Sequence, residues 1–372
     1  MQASVNDAAR FASDLIAIDS RSSVSNVPLT ELLESRLHDW QIERTDYTDA
    51  SGTLKRSLVC TDEASTSPLA FAGHVDTVSD VGWQRDPFSP AIENGRLIGL
   101  GASDMKGSIA AFMTAFEQVD RATRPTLVFT ADEETTKQGV REVVARSRIL
   151  KERATKCIIA CEPTTMQLVR GHRVDVQFIV HAHGVQAHSS TGRGVNANLL
   201  LIPFLVELRE LHLRLREDKT LHDPQYDPPF CDLNFVIDNY GAFPNVTVGL
   251  ATCRIKFRYS KSFDPRFVIE KIQDAAKRNG LELEVRREAP PPELPGNDPV
   301  VLALEKIAGT KAVVMGLGTE ASEYSKLAPT LVIGPGRIEE AHKPSEAIGI
   351  DVLDAAVELY RRIALELPKA LA

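Results

Sequence analysis

The sequence predicts an α/β protein whose main domain has a mostly parallel sheet with helices on both faces, interrupted by an inserted α+β domain with an antiparallel sheet. Three observations predict this fold class. Short apolar segments alternate with helical periodicity in the first half of the chain, a later stretch alternates apolar and polar residues, and the last part returns to the first pattern. A chain of 372 residues is long enough for two domains.

The first half of the chain alternates predicted helices with buried strands. Apolar residues recur at helical spacing over residues 7–18, 29–39, 107–119 and 140–150. Short segments made almost entirely of apolar residues lie at residues 69–72, 127–130 and 157–160. Strands that are apolar on both faces and separated by helices are typical of a parallel sheet, so this half predicts the sheet of the main domain.

The middle of the chain predicts a separate unit. Residues 174–180 alternate with period two, which is typical of a strand with one wet face in an antiparallel sheet. Further strands are predicted at 231–237, 250–259 and 281–287, with helices at 194–216 and 265–278. Beyond this unit, helices at 298–308 and 350–367 and short strands at 312–315 and 330–334 are predicted. We therefore divide the chain into a main domain, residues 1–172 and 288–372, and an inserted domain, residues 173–287.

Composition and charge exclude several classes of partner. The net charge of -8 disfavours nucleic acid, whose binding needs a basic face. The sequence has no apolar run long enough to span a membrane, and its N-terminus lacks the features of a signal peptide. The cysteines number five, an odd count with no CxxC pair, which favours reduced thiols in a cytoplasmic protein.

Candidate metal ligands follow the ends of the predicted strands. His74, Glu134 and Glu162 each come just after an apolar strand, and Asp104 precedes a predicted helix. The carboxyl ends of parallel strands line one crevice, so these side chains are expected to lie close together. The three adjacent carboxylates at 132–134 would repel one another there unless a cation neutralised them. Imidazole and carboxylate ligands without thiolate favour Zn²⁺, with Co²⁺ or Mn²⁺ as alternatives.

A second carboxylate lies two residues after the first histidine. In His74-Val75-Asp76, the Asp76 side chain is spaced to accept the second ring N–H of His74. Such a contact fixes the tautomer and the orientation of a metal-binding imidazole. Asp76 is therefore predicted to be an orienting residue.

Six motifs, in order along nearly the whole chain, resemble the family of acetylornithine deacetylases and succinyl-diaminopimelate desuccinylases, which are two-zinc amidohydrolases and peptidases. The motifs are GHVDTV at 73–78, GLGASDMKG at 99–107, TADEE at 130–134, CEPT at 161–164, AHSS and GVNA at 187–197, and the segment 334–346 with AHKPSE at its end. Each motif alone is modest. Six in sequence make the resemblance specific.

The resemblance implies two zinc ions per subunit and a role for each ligand. It implies that Asp104 bridges both metals, that His74 and Glu162 bind one of them, and that Glu134 and His342 bind the other. The residues alone do not distinguish Glu133 from Glu134; the resemblance implies that Glu133 is the general base. It also implies a cis peptide bond after Asp104. On this basis residues 1–172 and 288–372 form a zinc catalytic domain, and residues 173–287 a dimerisation or lid domain.

Four further residues take their roles from the resemblance. His188 matches a histidine that reaches the active site of a partner subunit and stabilises the oxyanion, which implies a homodimer. Asn245 and Arg258 match substrate contacts, although the flanking residues here, DNYG at 238–241 and RYSK at 258–261, depart from the family pattern. Glu320, in GTEAS, resembles a segment of acetylornithine deacetylases and is placed to bind a substrate amino group. The alternatives are an ordinary hydrogen bond for His188, a surface ion pair for Arg258 and a helix N-terminal carboxylate for Glu320.

The function that fits these features is metal-dependent hydrolysis of the amide bond of an N-acyl amino acid, a small-molecule substrate. N²-acetyl-L-ornithine, cleaved to L-ornithine and acetate, is the favoured substrate. Succinyl-diaminopimelate, acetylcitrulline and peptides cleaved by dipeptidases or carboxypeptidases are alternatives within the same family. A non-catalytic relative that binds amino acids or metals is an alternative of another class, and it is disfavoured because both the ligands and the base are present.

Overall fold

The computed structural model describes residues 7–371, and the chain divides into two compact units. The first unit contains the residues up to Gly171, Pro292–Val313 and those from Thr319 onwards, and the second contains His172–Pro291 and Val314–Gly318. The sequence placed these breaks after residues 172 and 287. Nothing in the sequence indicated that the short segment Val314–Gly318 belongs with the second unit.

The strands and helices of the described residues are as follows. The strands are β1 (Gln41–Thr48), β2 (Leu54–Thr61), β3 (Leu69–His74), β4 (Ala91–Glu93), β5 (Arg96–Ile98), β6 (Thr126–Thr130), β7 (Cys157–Ala160), β8 (Val169–His172), β9 (Val174–His183), β10 (Asp232–Asp238), β11 (Leu250–Tyr259), β12 (Glu282–Arg287), β13 (Val313–Met315), β14 (Thr330–Val332) and β15 (Ala347–Gly349). The helices are α1 (Asp7–Ile16), α2 (Val27–Arg36), α3 (Lys106–Glu117), α4 (Gln138–Arg146), α5 (Arg148–Glu152), α6 (Ala197–Glu217), α7 (Arg266–Arg278), α8 (Pro299–Ala308), α9 (Ala321–Tyr324) and α10 (Ile350–Ala370).

The main sheet has the strand order β1-β2-β6-β3-β7-β14-β8-β13. Its centre is parallel, since β3 pairs in parallel with β6 and β7, and β7 pairs in parallel with β14. Strand β2 runs antiparallel to β1 and β6, and β8 runs antiparallel to β14. The prediction of a mostly parallel sheet is confirmed, with the antiparallel pairs towards its edges.

The central strands are buried on both faces. In β3, Leu69 and Phe71 join a core with α1, α3, α8 and α10, whereas Ala70 and Ala72 join a second core with α4, α5 and α9. Successive side chains of a strand point to opposite faces, so a strand buried on both sides is apolar throughout. Each fully buried Leu or Phe side chain contributes about 1.5–3 kcal/mol. The predicted coverage of both faces is therefore confirmed.

Two elements of the first unit differ from the sequence prediction. The hairpin of β1 and β2 was not predicted, because its strands carry charged residues that pair across the strands, such as Arg56 with Asp46 at 2.8 Å. The single helix predicted over 140–150 is two helices, α4 and α5. The break lies at Ser147, whose Oγ accepts a hydrogen bond from the Leu150 N–H and caps α5.

The second unit is an antiparallel sheet with helices on one face. Its strand order is β10-β11-β9-β12, and all three pairings are antiparallel. Alternate residues of β9, from Val174 to Ala182, pack in one core with α6 and α7. The predicted inserted antiparallel sheet is confirmed. Within residues 7–371, no helix combines the length and the apolar character that a membrane crossing requires.

Candidate metal centre

The carboxyl ends of neighbouring parallel strands bring the predicted ligands together. His74 is the last residue of β3 and pairs with Thr130, the last residue of β6. Glu134 follows β6, and Glu162 follows β7, the other neighbour of β3. The strand order therefore explains how side chains far apart in sequence meet in one crevice.

One group of candidate ligands is almost completely buried. The His74 Nε2 atom lies 3.1 Å from Asp104 Oδ1 and 3.6 Å from Glu162 Oε2. All three side chains are buried, and their ligand atoms lie within 4.8 Å of one another. An imidazole and two carboxylates at this spacing form a compact set of metal ligands.

A second group shares Asp104 with the first. The His342 Nε2 atom lies 3.1 Å from Glu134 Oε1 and 3.6 Å from Asp104 Oδ2. The Asp104 carboxylate thus faces the first group with Oδ1 and the second with Oδ2. This is the arrangement of a carboxylate that bridges two metal positions, and the peptide bond after Asp104 is cis.

The backbone around the second group has an unusual conformation. His342 has φ +60°, and Asp132, at the start of the turn that carries Glu134, has φ +64°. Non-glycine residues in the left-handed region cluster at functional sites. Gly334 allows the chain after β14 to run close to β7, because a Cβ there would lie 2.4 Å from the carbonyl oxygens of Cys161 and Glu162.

Asp76 braces both the first histidine and the acidic turn. Its carboxylate accepts hydrogen bonds from the Glu133 N–H at 3.1 Å, the Glu134 N–H at 3.3 Å and the Ser22 hydroxyl at 2.7 Å. The nearest acceptor to His74 Nδ1 is the Asp76 carbonyl oxygen at 3.0 Å, and the Asp76 carboxylate is 3.6 Å away. Asp76 thus lies beside His74, but its main-chain carbonyl makes the closer contact.

Glu133 points into the same crevice but belongs to neither group of candidate ligands. Burial raises the pKa of Glu133 well above 4.5; nearby Lys137 lowers it, and the charge of Glu162 raises it again. The Lys137 Nζ atom lies 3.7 Å from Glu133 Oε1. A carboxyl group with a raised pKa beside metal ligands has the properties of a general base.

The crevice carries an excess of negative charge. Burial lowers the pKa of His74, but the carboxylates of Glu162, Asp104 and Asp76 outweigh burial and raise it well above 6.5. Hydrogen bonds to Asp104 and Glu134 raise the pKa of His342 to about 10. Both imidazoles thus take up protons to neutralise the surrounding carboxylates. Divalent cations would do the same, and the set of two imidazoles and three carboxylates without thiolate fits zinc, cobalt or manganese.

Glu320 is buried next to this crevice. Its Oε2 accepts hydrogen bonds from the Thr130 hydroxyl at 2.6 Å and the Tyr324 hydroxyl at 3.3 Å. Among the described residues, Oε1 has no hydrogen-bond partner. Burial raises the pKa of Glu320 to about 8, and the charges of Glu162 and Asp76 act in the same direction.

The predicted residues of the second unit lie on its surface. His188 is exposed, and its Nδ1 accepts a hydrogen bond from the Ser190 hydroxyl at 2.7 Å. The Asn245 carbonyl accepts from the Ser189 N–H at 3.0 Å. Arg258 pairs with Asp232 on the neighbouring strand, at 3.2 Å.

Three residues around the crevice were missed by the sequence analysis. The Glu346 carboxylate accepts hydrogen bonds from main-chain N–H groups of the segment that leads to Asp104. Buried Lys55 lies 3.2 Å from Asp132, whose other carboxylate oxygen accepts from the Tyr47 hydroxyl at 2.8 Å. Glu346 lies in the last quoted motif, which gave a signal for its importance. Lys55 and Tyr47 lie in the unpredicted hairpin and gave none.

Comparisons with known proteins show which sequences this chain resembles. The sequence profile described as peptidase family M20/M25/M40 matches residues 70–366. Acetylornithine deacetylase of Pectobacterium carotovorum is 31% identical over 361 residues, which cover 93% of this chain and 92% of the relative. Acetylornithine deacetylase of Proteus mirabilis is 32% identical over 366 residues, with the same coverage of 93% and 92%.

Solved structures share the fold at lower sequence identity. An M20 family metallo-carboxypeptidase from Sulfolobus solfataricus superposes with a TM-score of 0.74 and 18% identity, covering 98% of this chain and 100% of the other. Human carnosine dipeptidase 1 superposes with a TM-score of 0.73 and 15% identity, covering 97% of each chain. A Bacillus subtilis protein described as a dinuclear metal-binding peptidase of the same family gives 0.62 and 14%, covering 98% of each chain.

Proposed function

This chain belongs to peptidase family M20/M25/M40 and is a hydrolase, and we propose that it hydrolyses the amide bond of an N-acyl amino acid with two zinc ions. One observation carries the proposal. The Asp104 carboxylate lies between two histidine–carboxylate groups, and Glu133 stands beside them without belonging to either. Cobalt or manganese are alternative metals, because the same ligand types suit them.

The ligand residues have distinct roles in this proposal. His74 and Glu162 would hold one metal, Glu134 and His342 would hold the other, and Asp104 would contribute a carboxylate oxygen to each. Bound zinc ions lower the pKa of water and polarise a carbonyl group. The Asp76 carboxylate and carbonyl fix the acidic turn and the His74 ring, so His74 and the main chain at Glu134 are held in place before any metal binds.

Glu133 moves the proton in this scheme. Its carboxylate takes a proton from the attacking water as the oxygen bonds to the amide carbon, and the protonated carboxyl then donates that proton to the leaving nitrogen. The C–N bond breaks, giving a carboxylate and an amine, and the amine takes up the second proton of the water and leaves as an ammonium group. In the metal-free protein, burial raises the pKa of Glu133, Lys137 lowers it and the charge of Glu162 raises it. A carboxylate beside the proposed metal positions suits the role of base.

We propose N²-acetyl-L-ornithine as the substrate, giving L-ornithine and acetate. The support is the name shared by relatives that align over 93% of this chain and the GTEAS segment at 318–322. The test is a panel of acetylornithine, acetylcitrulline, acetylmethionine and succinyl-diaminopimelate, assayed with Zn²⁺, Co²⁺ and Mn²⁺. We expect the highest kcat/KM for acetylornithine. Failure to hydrolyse any N-acyl amino acid with zinc or cobalt would contradict the proposed reaction.

Three residues are proposed to recognise the substrate. Arg258 and Asn245 would bind its carboxylate and amide groups, because a guanidinium binds a carboxylate in a bidentate manner. Arg258 must then exchange its present partner, Asp232. Glu320 would bind a substrate amino group through Oε1, the oxygen that lacks a hydrogen-bond partner among the described residues. Replacing Arg258 with Ala should raise KM more than it lowers kcat, and an unchanged KM would remove Arg258 from this role.

We also propose a homodimer, formed by the exposed apolar face of α6 and the edge strand β10. Leu199, Ile202 and Val206 share one side of α6 and are 65%, 49% and 51% exposed. Strand β10 pairs on one side only, with β11, so its other edge offers main-chain hydrogen bonds to a second copy. The same patch on two subunits makes a closed two-fold interface.

The double variant Ile202→Glu/Val206→Glu should halve the mass in solution. Val81→Glu, at an 83% exposed valine of the other unit, is the control.

The dimer would complete each active site, since His188 is proposed to reach the site of the partner and stabilise the oxyanion. Two inactive variants test this. A protein with His188→Ala and a protein with Glu133→Gln are unfolded together and refolded as a mixture. Heterodimers then contain one intact site, and random pairing restores about a quarter of wild-type activity. No recovery of activity would contradict a shared site.

We place this reaction in the cytoplasm. All five cysteines are free and buried, as the sequence analysis predicted. Burial raises the pKa of the Cys157 and Cys161 thiols well above their usual range, so these thiols are unreactive. Free, buried thiols are typical of proteins in a reducing compartment.

A further inference from the structure

Glu346 makes three main-chain contacts that the proposed mechanism does not use. Its Oε2 accepts a hydrogen bond from the Gly101 N–H, and its Oε1 accepts from the N–H groups of Ser103 and Asp104, each at 2.8 Å. The residue is 1% exposed. Both carboxylate oxygens thus act as acceptors for one short segment, and that segment ends at the bridging Asp104.

The main chain of Glu346 joins the same segment to the turn that carries His342. The Glu346 N–H donates to the Lys343 carbonyl at 3.1 Å, and the Glu346 carbonyl accepts from the Gly99 N–H at 3.1 Å. His342 begins this turn in the left-handed conformation. Glu346 therefore holds two ligand-bearing segments together, although they are far apart in sequence.

These contacts do not bear equally on the two proposed metal positions. The position between Asp104, Glu134 and His342 has two ligands on segments held by Glu346. The position between His74, Asp104 and Glu162 has only one, because His74 is the last residue of the buried strand β3 and Glu162 follows the buried strand β7. Loss of the Glu346 contacts should therefore weaken metal binding at the Asp104–Glu134–His342 position more than at the His74–Asp104–Glu162 position.

We propose that Glu346 is a positioning residue that sets the metal affinity of the Asp104–Glu134–His342 position by fixing Asp104 and His342 relative to each other. The inference rests on the proposed two-metal function. A glutamine at residue 346 would keep one acceptor oxygen, but its NH₂ group would face a main-chain N–H, either that of Gly101 or those of Ser103 and Asp104. Two facing donors cannot form a hydrogen bond, so that end of the contact would open.

The test is calorimetric titration of the metal-free, full-length protein with Zn²⁺ in the presence of a competing chelator. Glu346→Gln should bind one zinc as tightly as wild type and the other about 10- to 100-fold more weakly, the usual cost of losing an outer contact. Glu339→Gln is the control, because Glu339 lies in the same segment but is exposed, 3.7 Å from Arg337. The thermal midpoint of the metal-free variant shows whether the fold itself has changed.

Each outcome of the titration is decisive. If Glu346→Gln binds both zinc ions more weakly by the same factor, or binds both as tightly as wild type, the proposed role of Glu346 is overturned. If wild type binds two zinc ions, such a result leaves the proposed function standing; if wild type binds none, the function and the inference fall together. Should Glu346→Gln not fold, Glu346→Asp keeps the charge but is one methylene shorter, and it should show the same selective weakening.

Discussion

The two halves of the proposed metal centre differ in how firmly the fold holds their candidate ligands. The His74 side chain is 1% exposed, at the end of the central strand β3, and its partners are also buried: Glu162 follows β7, and Asp104 precedes α3. The His342 side chain is 52% exposed, on a turn in the left-handed conformation. One half is therefore part of the core, and the other depends on a surface turn.

This difference has a consequence for metal binding. A ligand held by a buried strand loses little freedom when a metal binds, whereas a ligand on an exposed turn must be ordered. We therefore expect the His74 position to fill first and the His342 position to exchange its metal more readily.

The largest expected effect comes from a residue that belongs to neither half. Glu133→Gln removes the proposed base but leaves every ligand in place, so turnover should fall about 10²- to 10⁴-fold. Metal content, measured by atomic emission on the purified protein, should remain that of wild type. Loss of metal from this variant would show that Glu133 is a ligand and not the base.

The two histidines should differ when each is replaced by alanine. His342→Ala should weaken the binding of one zinc ion by at least about 100-fold, which is more than the loss of an outer contact would cause. The other zinc ion should bind as in wild type. His74→Ala should also lower the free energy of unfolding of the metal-free protein, because it leaves a cavity and removes the partner of buried carboxylates. Titration with zinc and urea denaturation of both variants measure the difference. Identical behaviour would remove the distinction between the two halves.

The pH dependence of stability should follow the exposed histidine. The pKa of His342 is raised from 6.5 to about 10 in the folded, metal-free protein. Its contribution to stability is therefore fully present below pH 6.5 and is lost as the pH rises towards 10. Solvent screening limits this contribution to about 1 kcal/mol. Urea denaturation between pH 6.5 and 9.5 should show a shallower fall for His342→Ala than for wild type, and equal slopes would assign the fall to other groups.

The smallest effect is expected for Tyr47→Phe. The lost hydroxyl donates to Asp132, which begins the turn that carries Glu133. We expect a loss of about 1–2 kcal/mol in stability and less than about a tenfold fall in kcat, with metal content unchanged. The control Tyr240→Phe removes a hydroxyl contact to Thr252 in the other unit and should leave kcat unchanged. If both variants retain full kcat, the Tyr47 contact does not position the base.

The central sheet and most of the metal ligands could be read from the sequence because both give local signals. Strand β3 is apolar up to its last residue, the candidate ligand His74, and β7 is followed two residues later by the candidate ligand Glu162. Burial on both faces leaves a mark on every residue of such a strand. The inclusion of His342 and the role of Asp104 as a bridge needed the resemblance.

The hairpin β1–β2 and the contact between Lys55 and Asp132 beside the site could not be predicted in this way. Strand β1 alternates between a wet and a packed face and carries charged residues, so it has no apolar run. The contact between Lys55 and Asp132 joins residues that are distant in sequence and depends on how β2 pairs with β6. A single buried lysine leaves no periodic pattern, so only the folded chain reveals its partner.

Anomalous scattering at the zinc edge, from crystals grown with Zn²⁺, tests the two-metal centre most directly. We expect two peaks, one beside His74 and Glu162 and one beside Glu134 and His342, with Asp104 between them. When the zinc concentration is lowered, the peak beside His342 should fade first. A single peak, or zinc bound elsewhere with these five side chains free of metal, would contradict the proposed two-metal centre.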